Sequence, residues 1–186
     1  MSLPGASLRK WAMTPELVKK LDDLISEEHR ISLIEADHMT LLQSYGYPGF
    51  KRQHRYLQRW RNETALCLRN WLTDNFDYYP TVSVNYTTPS QKPTSFLEAV
   101  SAIIEVYEGL YKHYVETSRV AANEGLDDLL QVLQCKIGWI SKVLCKYNRD
   151  LREVGNVSAD KVYLQLRSEK LHEKYRKKEE SFKVEY

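Results

Sequence analysis

What this chain lacks narrows it before any motif is read. No apolar run approaches the roughly 18 residues a membrane-spanning helix needs. Residues 1–10 also lack the apolar stretch of a secretory signal, so the cytoplasm is the expected compartment and no membrane partner is expected. Cysteine is scarce: Cys67, Cys135 and Cys145 form an odd set without C-x-x-C spacing. That argues against a disulfide framework or a zinc ribbon and predicts three small buried hydrophobes. A dominant charge is missing too. With 27 basic and 25 acidic side chains the net charge is +2, so any electrostatic function must come from local clustering. There is no Gly-rich phosphate loop, no Gly-x-Ser-x-Gly elbow and no Cys/His nucleophile signature, which sets aside the enzyme classes that depend on them.

What is present is helical periodicity. The 186 residues, 42% hydrophobic and 28% charged, suit one globular domain spanning residues 1–186 with no need of covalent staples. Thr14-Pro15-Glu16 reads as an N-cap, a first-turn proline and an early acid. It opens a helix over about 14–44 whose stripe is Leu17, Leu21, Leu24, Ile31 and Leu42. Tyr45-Gly46-Tyr47-Pro48-Gly49 breaks it. A second helix over about 50–76 carries Leu57, Trp60, Thr64, Leu68 and Trp71 or Leu72. Prolines at 80, 89 and 93 then predict an extended crossover over about 77–93. Such a long connection takes the chain from one end of a bundle to the other, where a short loop would not. Helix three, about 94–123, buries Val100, Ile103, Ile104, Tyr107, Tyr111 and Tyr114 and stops at Gly125. Helix four, about 126–153, holds a seam of Leu126, Leu130, Leu133, Ile137, Ile140, Leu144, Tyr147 and Leu151. Ser158 is placed to cap a shorter fifth helix, about 158–180, with Val162, Leu164, Leu166, Leu171 and Tyr175 on its stripe and a solvated, fraying charged end from Glu173 to Glu180.

The expected fold is therefore all-α, a four-helix bundle with a long crossover between helices 2 and 3 and a shorter C-terminal fifth helix. This order and size resemble a ferritin subunit. The run from Gly49-Phe50 through Leu68 to Trp71-Leu72-Thr73-Asp74 and Pro80 resembles the second helix and following loop of bacterial-type ferritins. The resemblance implies a homo-oligomer and a di-iron centre built from a Glu on each of two helices and a Glu-x-x-His on each of the others. With the second helices set side by side from Phe50, however, the Glu-x-x-His positions fall on Arg61 and Thr64, and the first helix offers Ile31. Helix three has Glu105 on the solvent side and Glu108 nearer the edge, while helix four places no carboxylate on its seam. Too few carboxylates converge for a hard iron site, and no cofactor is expected.

One polar cluster remains. Glu28, Glu35 and His38 continue the first helix's apolar stripe, with Glu63 on the facing helix. As a metal site they would take iron or another divalent cation. As a structural network they would find partners in Arg61 or His54, since an inward arginine pairs well with carboxylates. Arg52, Arg55 and Arg59 share a face of the second helix and form a candidate surface for nucleic acid or an acidic protein; the alternative is a solvated face paired with neighbouring acids. Glu169 and His172 read as solvated surface. The tyrosines of helix three read as core or subunit interface.

Three functions follow in order: a ferritin-like subunit without a ferroxidase centre, acting as a shell, storage-related or scaffold protein; a helical adaptor for nucleic acid or an acidic protein; and a carboxylate–histidine metal-binding protein.

Overall fold

The computed structural model describes residues 13–88, 93–156 and 161–180. Ser158 and Pro89, given roles above, lie outside them. Among the described residues the chain forms five helices and no strand: α1 Pro15–Ser44, α2 Pro48–Phe76, α3 Phe96–Asn123, α4 Asp127–Asn156 and α5 Lys161–Glu180. No described helix is long and apolar enough to cross a membrane.

Local chemistry sets the boundaries. The Thr14 hydroxyl accepts from the Leu17 amide and Pro15 fills the first turn of α1. Ser95 caps α3 in the same way by accepting from the Glu98 amide. Gly46 and Gly125 follow α1 and α3 at φ +78° and +71°, a left-handed conformation that costs glycine nothing. Asp77 adopts it at the end of α2, with φ 50°.

Contacts between helices fix their directions. Glu28 meets Arg61 and Glu35 meets His54, so α1 and α2 are antiparallel. Tyr107 reaches Glu35 and Tyr114 reaches Glu28, so α3 also runs against α1. The stack of Trp60 on Trp139 and the tilted ring contact of His54 with Tyr147 set α4 against α2. The crossover follows α1 toward its C-terminus: Tyr78 and the Thr81 amide bond Asp22, the Ser83 amide bonds Ser26, and Tyr86 bonds Asp37. The predicted strap is therefore real, and tied down along one helix.

The stripes of α1 and α2 bury as expected, except that Trp60 and Trp71 are only half-buried while Arg61 is fully inside. Tyr107 and Tyr114 are buried, but Tyr111 is half-buried. In α4 the predicted seam is rotated: Leu129, Leu133, Ile140, Val143 and Tyr147 are buried, whereas Leu126, Leu130, Ile137, Leu144 and Leu151 are half-buried. That rotation brings Asp150 inside, where Arg167 of α5 bonds it at 2.5 Å; the expectation of a seam free of carboxylates fails there. At that end of α4 lies α5, which stays helical to Glu180 and runs along α2, parallel to it. The Gly49 amide donates to Ser168 Oγ at 2.9 Å, and a Cβ on Gly49 would sit 1.7 Å from the Ser168 carbonyl oxygen. Leu164, Ser168, Leu171 and Tyr175 face inward, while Val162 and Leu166 are exposed, contrary to their place on the expected stripe. The cysteines are not a buried set either: Cys135 and Cys145 are exposed and Cys67 is half-buried.

Candidate functional site: a polar core between the four helices

Positions 28 and 35 of α1, 54 and 61 of α2, and 107 and 114 of α3 are each seven residues apart. Two turns of helix advance about 10.5 Å, so antiparallel packing stacks them as two polar layers inside an apolar bundle. Above, below and between lie Leu24, Ile31, Leu57, Leu68 and Ile103, all essentially inaccessible to solvent. Charge placed there must be matched locally.

In the first layer Arg61 is 0% exposed and its Nη1 donates to both Glu28 oxygens, at 3.0 and 2.8 Å. The Tyr114 hydroxyl donates to Glu28 Oε1 at 2.6 Å. The guanidinium carbon lies 4.5 Å from the Trp60 ring centroid and 4.4 Å from that of Trp139. The two indoles stack at 3.6 Å. Nε and Nη2 of Arg61 have no hydrogen-bond acceptor among the described residues, so the indole faces supply the rest of the cation's stabilisation. In the second layer His54 Nδ1 donates to Glu35 Oε2 and the Tyr107 hydroxyl to Oε1, the latter at 2.8 Å. Tyr147 packs its ring against both His54 and Tyr107.

The tyrosines are held as donors. Burial first, and then the carboxylate each one faces, push the Tyr107 and Tyr114 phenols well above their ordinary value, because a phenolate there would be both unsolvated and beside a negative charge. His38 stacks on His54 at 5.8 Å between ring centroids but bonds neither glutamate. Burial, then the neighbouring His54, push its imidazole down to about 4. Glu63 is half-buried and takes no part in either layer. Of the four residues singled out as metal ligands, Glu28 and Glu35 thus sit at the centre, His38 lies one ring away and Glu63 lies apart. No group of three or more His, Cys, Asp or Glu gathers for a metal among the described residues.

The basic face of α2 has its own partner. Arg55 is bidentate to Glu179 at 2.9 Å and Arg52 lies 3.6 Å from the same carboxylate. Arg59 is exposed. Glu169 is also exposed, bonded to Gln165, and His172 is half-buried.

No protein-family model and no curated protein matches the chain. Solved structures do match. A humanized archaeal ferritin aligns with TM-score 0.79 at 16% identity, covering 86% of this chain and 97% of that one. The chain has the ferritin-like four-helix-bundle fold. An open-pore ferritin from the hyperthermophilic archaeon Archaeoglobus fulgidus aligns with TM-score 0.76 at 16% identity, covering 87% of this chain and 97% of that one. An iron-soaked variant of the ferritin PmFTN aligns with TM-score 0.72 at 11% identity, over 77% and 90%. At these identities the ferritin-like bundle is shared backbone, and residue roles must be argued from the chain's own side chains.

Proposed function

We propose that this chain is a non-catalytic structural subunit with a ferritin-like fold, assembling with copies of itself into a shell, storage-related or scaffold protein. The observation that carries this reading is Arg61. It occupies the position that the family resemblance assigns to the first residue of the second helix's Glu-x-x-His, and a fully buried guanidinium lies there against Glu28. A di-iron centre does not fit this donor set. The inward carboxylates Glu28 and Glu35 already accept from Arg61, Tyr114, His54 and Tyr107. Thr64, at the histidine position, is a poor ligand, and a fixed cation opposes two more. Assembly is supported by the fold and by the open-pore description of one similar structure, since a pore belongs to an assembly rather than to one bundle.

Native mass spectrometry combined with anaerobic iron loading and oxygen-uptake measurements tests the reading. The expected result is a closed homo-oligomer that consumes no oxygen with ferrous iron at the bundle centre. Two irons bound per chain with oxygen consumption overturn the non-catalytic reading; a monomer at micromolar concentration overturns the assembly. The adaptor reading draws no support from α2, because Glu179 takes up Arg52 and Arg55. A carboxylate–histidine metal site through Glu28, Glu35, His38 and Glu63 would have to displace the existing partners of both buried glutamates.

A further inference from the structure

Beside the polar core lies a cavity that the proposed function does not use. It is a partly open cleft of about 550 Å³ bordered by α1, the crossover and the first turns of α3. Ile34, Leu41, Pro93, Ala102 and Val106 give it mostly apolar walls, and His38 faces into it. A volume between about 300 and 1,000 Å³ with apolar walls and few polar groups is characteristic of small-molecule sites.

Much of the polar lining has settled its own bonds; Asn85 and Thr87, exposed on the crossover at the rim, make no side-chain hydrogen bond among the described residues. Arg30 is held by Glu27, Asp37 accepts from Tyr86, Thr40 donates to the Ala36 carbonyl and Ser44 to that of Leu41. His38, which comes from the last third of α1, has no hydrogen-bond partner among the described residues and meets another side chain only as a ring, stacked on His54. From these observations we propose that this cavity is a binding site for an uncharged, largely apolar small molecule carrying one hydroxyl, which donates to the imidazole of His38. The apolar wall disfavours a charged ligand, because the nearby arginine and aspartate are already paired and a charge placed against that wall would lose water without gaining a counter-charge. The imidazole is neutral at neutral pH, depressed to about 4 by burial, and a neutral imidazole presents one acceptor nitrogen. A hydroxyl is the simplest group that satisfies it.

The probe is 2-naphthol, uncharged at pH 7 and fluorescent, titrated into the full chain with 2-methylnaphthalene and 2-naphthoate as comparators. Saturable binding of one naphthol per chain is expected, with at least tenfold weaker binding of the other two. His38→Phe keeps the ring stack, removes the acceptor, and should lower naphthol affinity about tenfold while leaving methylnaphthalene unchanged. Ala102→Phe fills the cavity and should abolish binding; Val106→Phe serves the same purpose should the first variant fold poorly. In the unaltered protein, naphthol should move the His38 ring resonances in a proton NMR titration more than those of the exposed His113. No saturable binding, equal affinity for methylnaphthalene, indifference to both cavity-filling variants, or an unmoved His38 resonance each overturns the proposal.

Discussion

At the scale of single residues, the pairing of Glu28 with Arg61 makes the sharpest energetic demand. Two opposite charges inside an apolar bundle gain from each other about what they lose in leaving water, but removing one strands the other. Arg61→Met, which keeps most of the volume, should therefore destabilise the chain by roughly 3–5 kcal/mol. The double substitution Arg61→Met with Glu28→Leu should recover most of that loss or exceed the starting stability. Urea melts of the two variants decide it: a single substitution as harmless as the double would mean that Glu28 is not held by Arg61. His38 adds a pH dependence of definite sign. Its folded imidazole titrates at about 4 against an ordinary 6.5, so the unfolded chain takes up that proton first as the solution is acidified. The stability His38 contributes by staying neutral is whole above pH 6.5 and drains away as pH falls toward 4. It is worth on the order of 3 kcal/mol. The difference in unfolding free energy between the unaltered chain and His38→Asn should shrink across that window, and a constant difference would remove the claim. The pairing of Arg61 and His54 with the two glutamates could be read from residue type and stripe position alone. That Tyr107 and Tyr114 complete it could not, because their spacing suits any buried face and only the antiparallel register of α3 on α1 aims each hydroxyl at a particular carboxylate.

Elements show where periodicity misleads. α1 and α3 each bury one stripe, so counting threes and fours finds it. α4 buries one apolar row and leaves a second, Leu130, Ile137, Leu144 and Leu151, half-buried, and a single-seam reading averages them and misses Asp150 with its partner Arg167. α5 has the opposite problem: its inward face includes Ser168, chosen for size and hydrogen bonding rather than hydrophobicity, while Val162 and Leu166 stay in solvent. The device that seats α5 is a backbone approach invisible to hydropathy. Gly49 lets the Ser168 carbonyl come so close that any Cβ would overlap it. Gly49→Ala should push α5 off α2, weakening the Ser168 contact and the Glu179 pairing together, and cost about 1–3 kcal/mol if the helix shifts rather than detaches. Hydrogen exchange read by mass spectrometry should show faster exchange over 161–180 with α1 and α3 nearly unchanged. Unaltered protection of α5 would show that its docking rests elsewhere. The rows of α2 arginines looked like a binding surface from sequence because their neutralising acid, Glu179, lies 124 residues from Arg55 in the chain.

For the whole molecule the crossover is the decisive feature, because it makes α3 antiparallel to α1 rather than parallel. α2 ends beside the start of α1, and α3 begins beside the end of α1, where the Tyr45 hydroxyl donates to the Pro93 carbonyl at 2.8 Å. A 28-residue helix such as α3 is about 42 Å long at 1.5 Å per residue. Fully extended chain covers at most about 3.3–3.6 Å per residue, so a span of that order takes about 12 residues. The segment from 77 to 95 exceeds this and spends its surplus on the anchors along α1 at Asp22, Ser26 and Asp37. Cutting the connection to eight residues would give a reach of about 28 Å, too short for the native path. Two outcomes are physically open: α3 and α4 invert, which buries the wrong groups opposite Glu28 and Glu35, or two chains exchange their α3–α4 pairs so that every helix keeps its native neighbours. The second keeps both polar layers intact and costs only association. The shortened chain should therefore retain its helical circular dichroism and near-ultraviolet tryptophan signal while its native mass shows twice the subunit number, or twice the mass of the smallest assembly, found for the unaltered protein. An unchanged mass with an unchanged Trp60–Trp139 signal would mean that the chain can reach α3 by a shorter road, and that the strap is not what sets the bundle's topology.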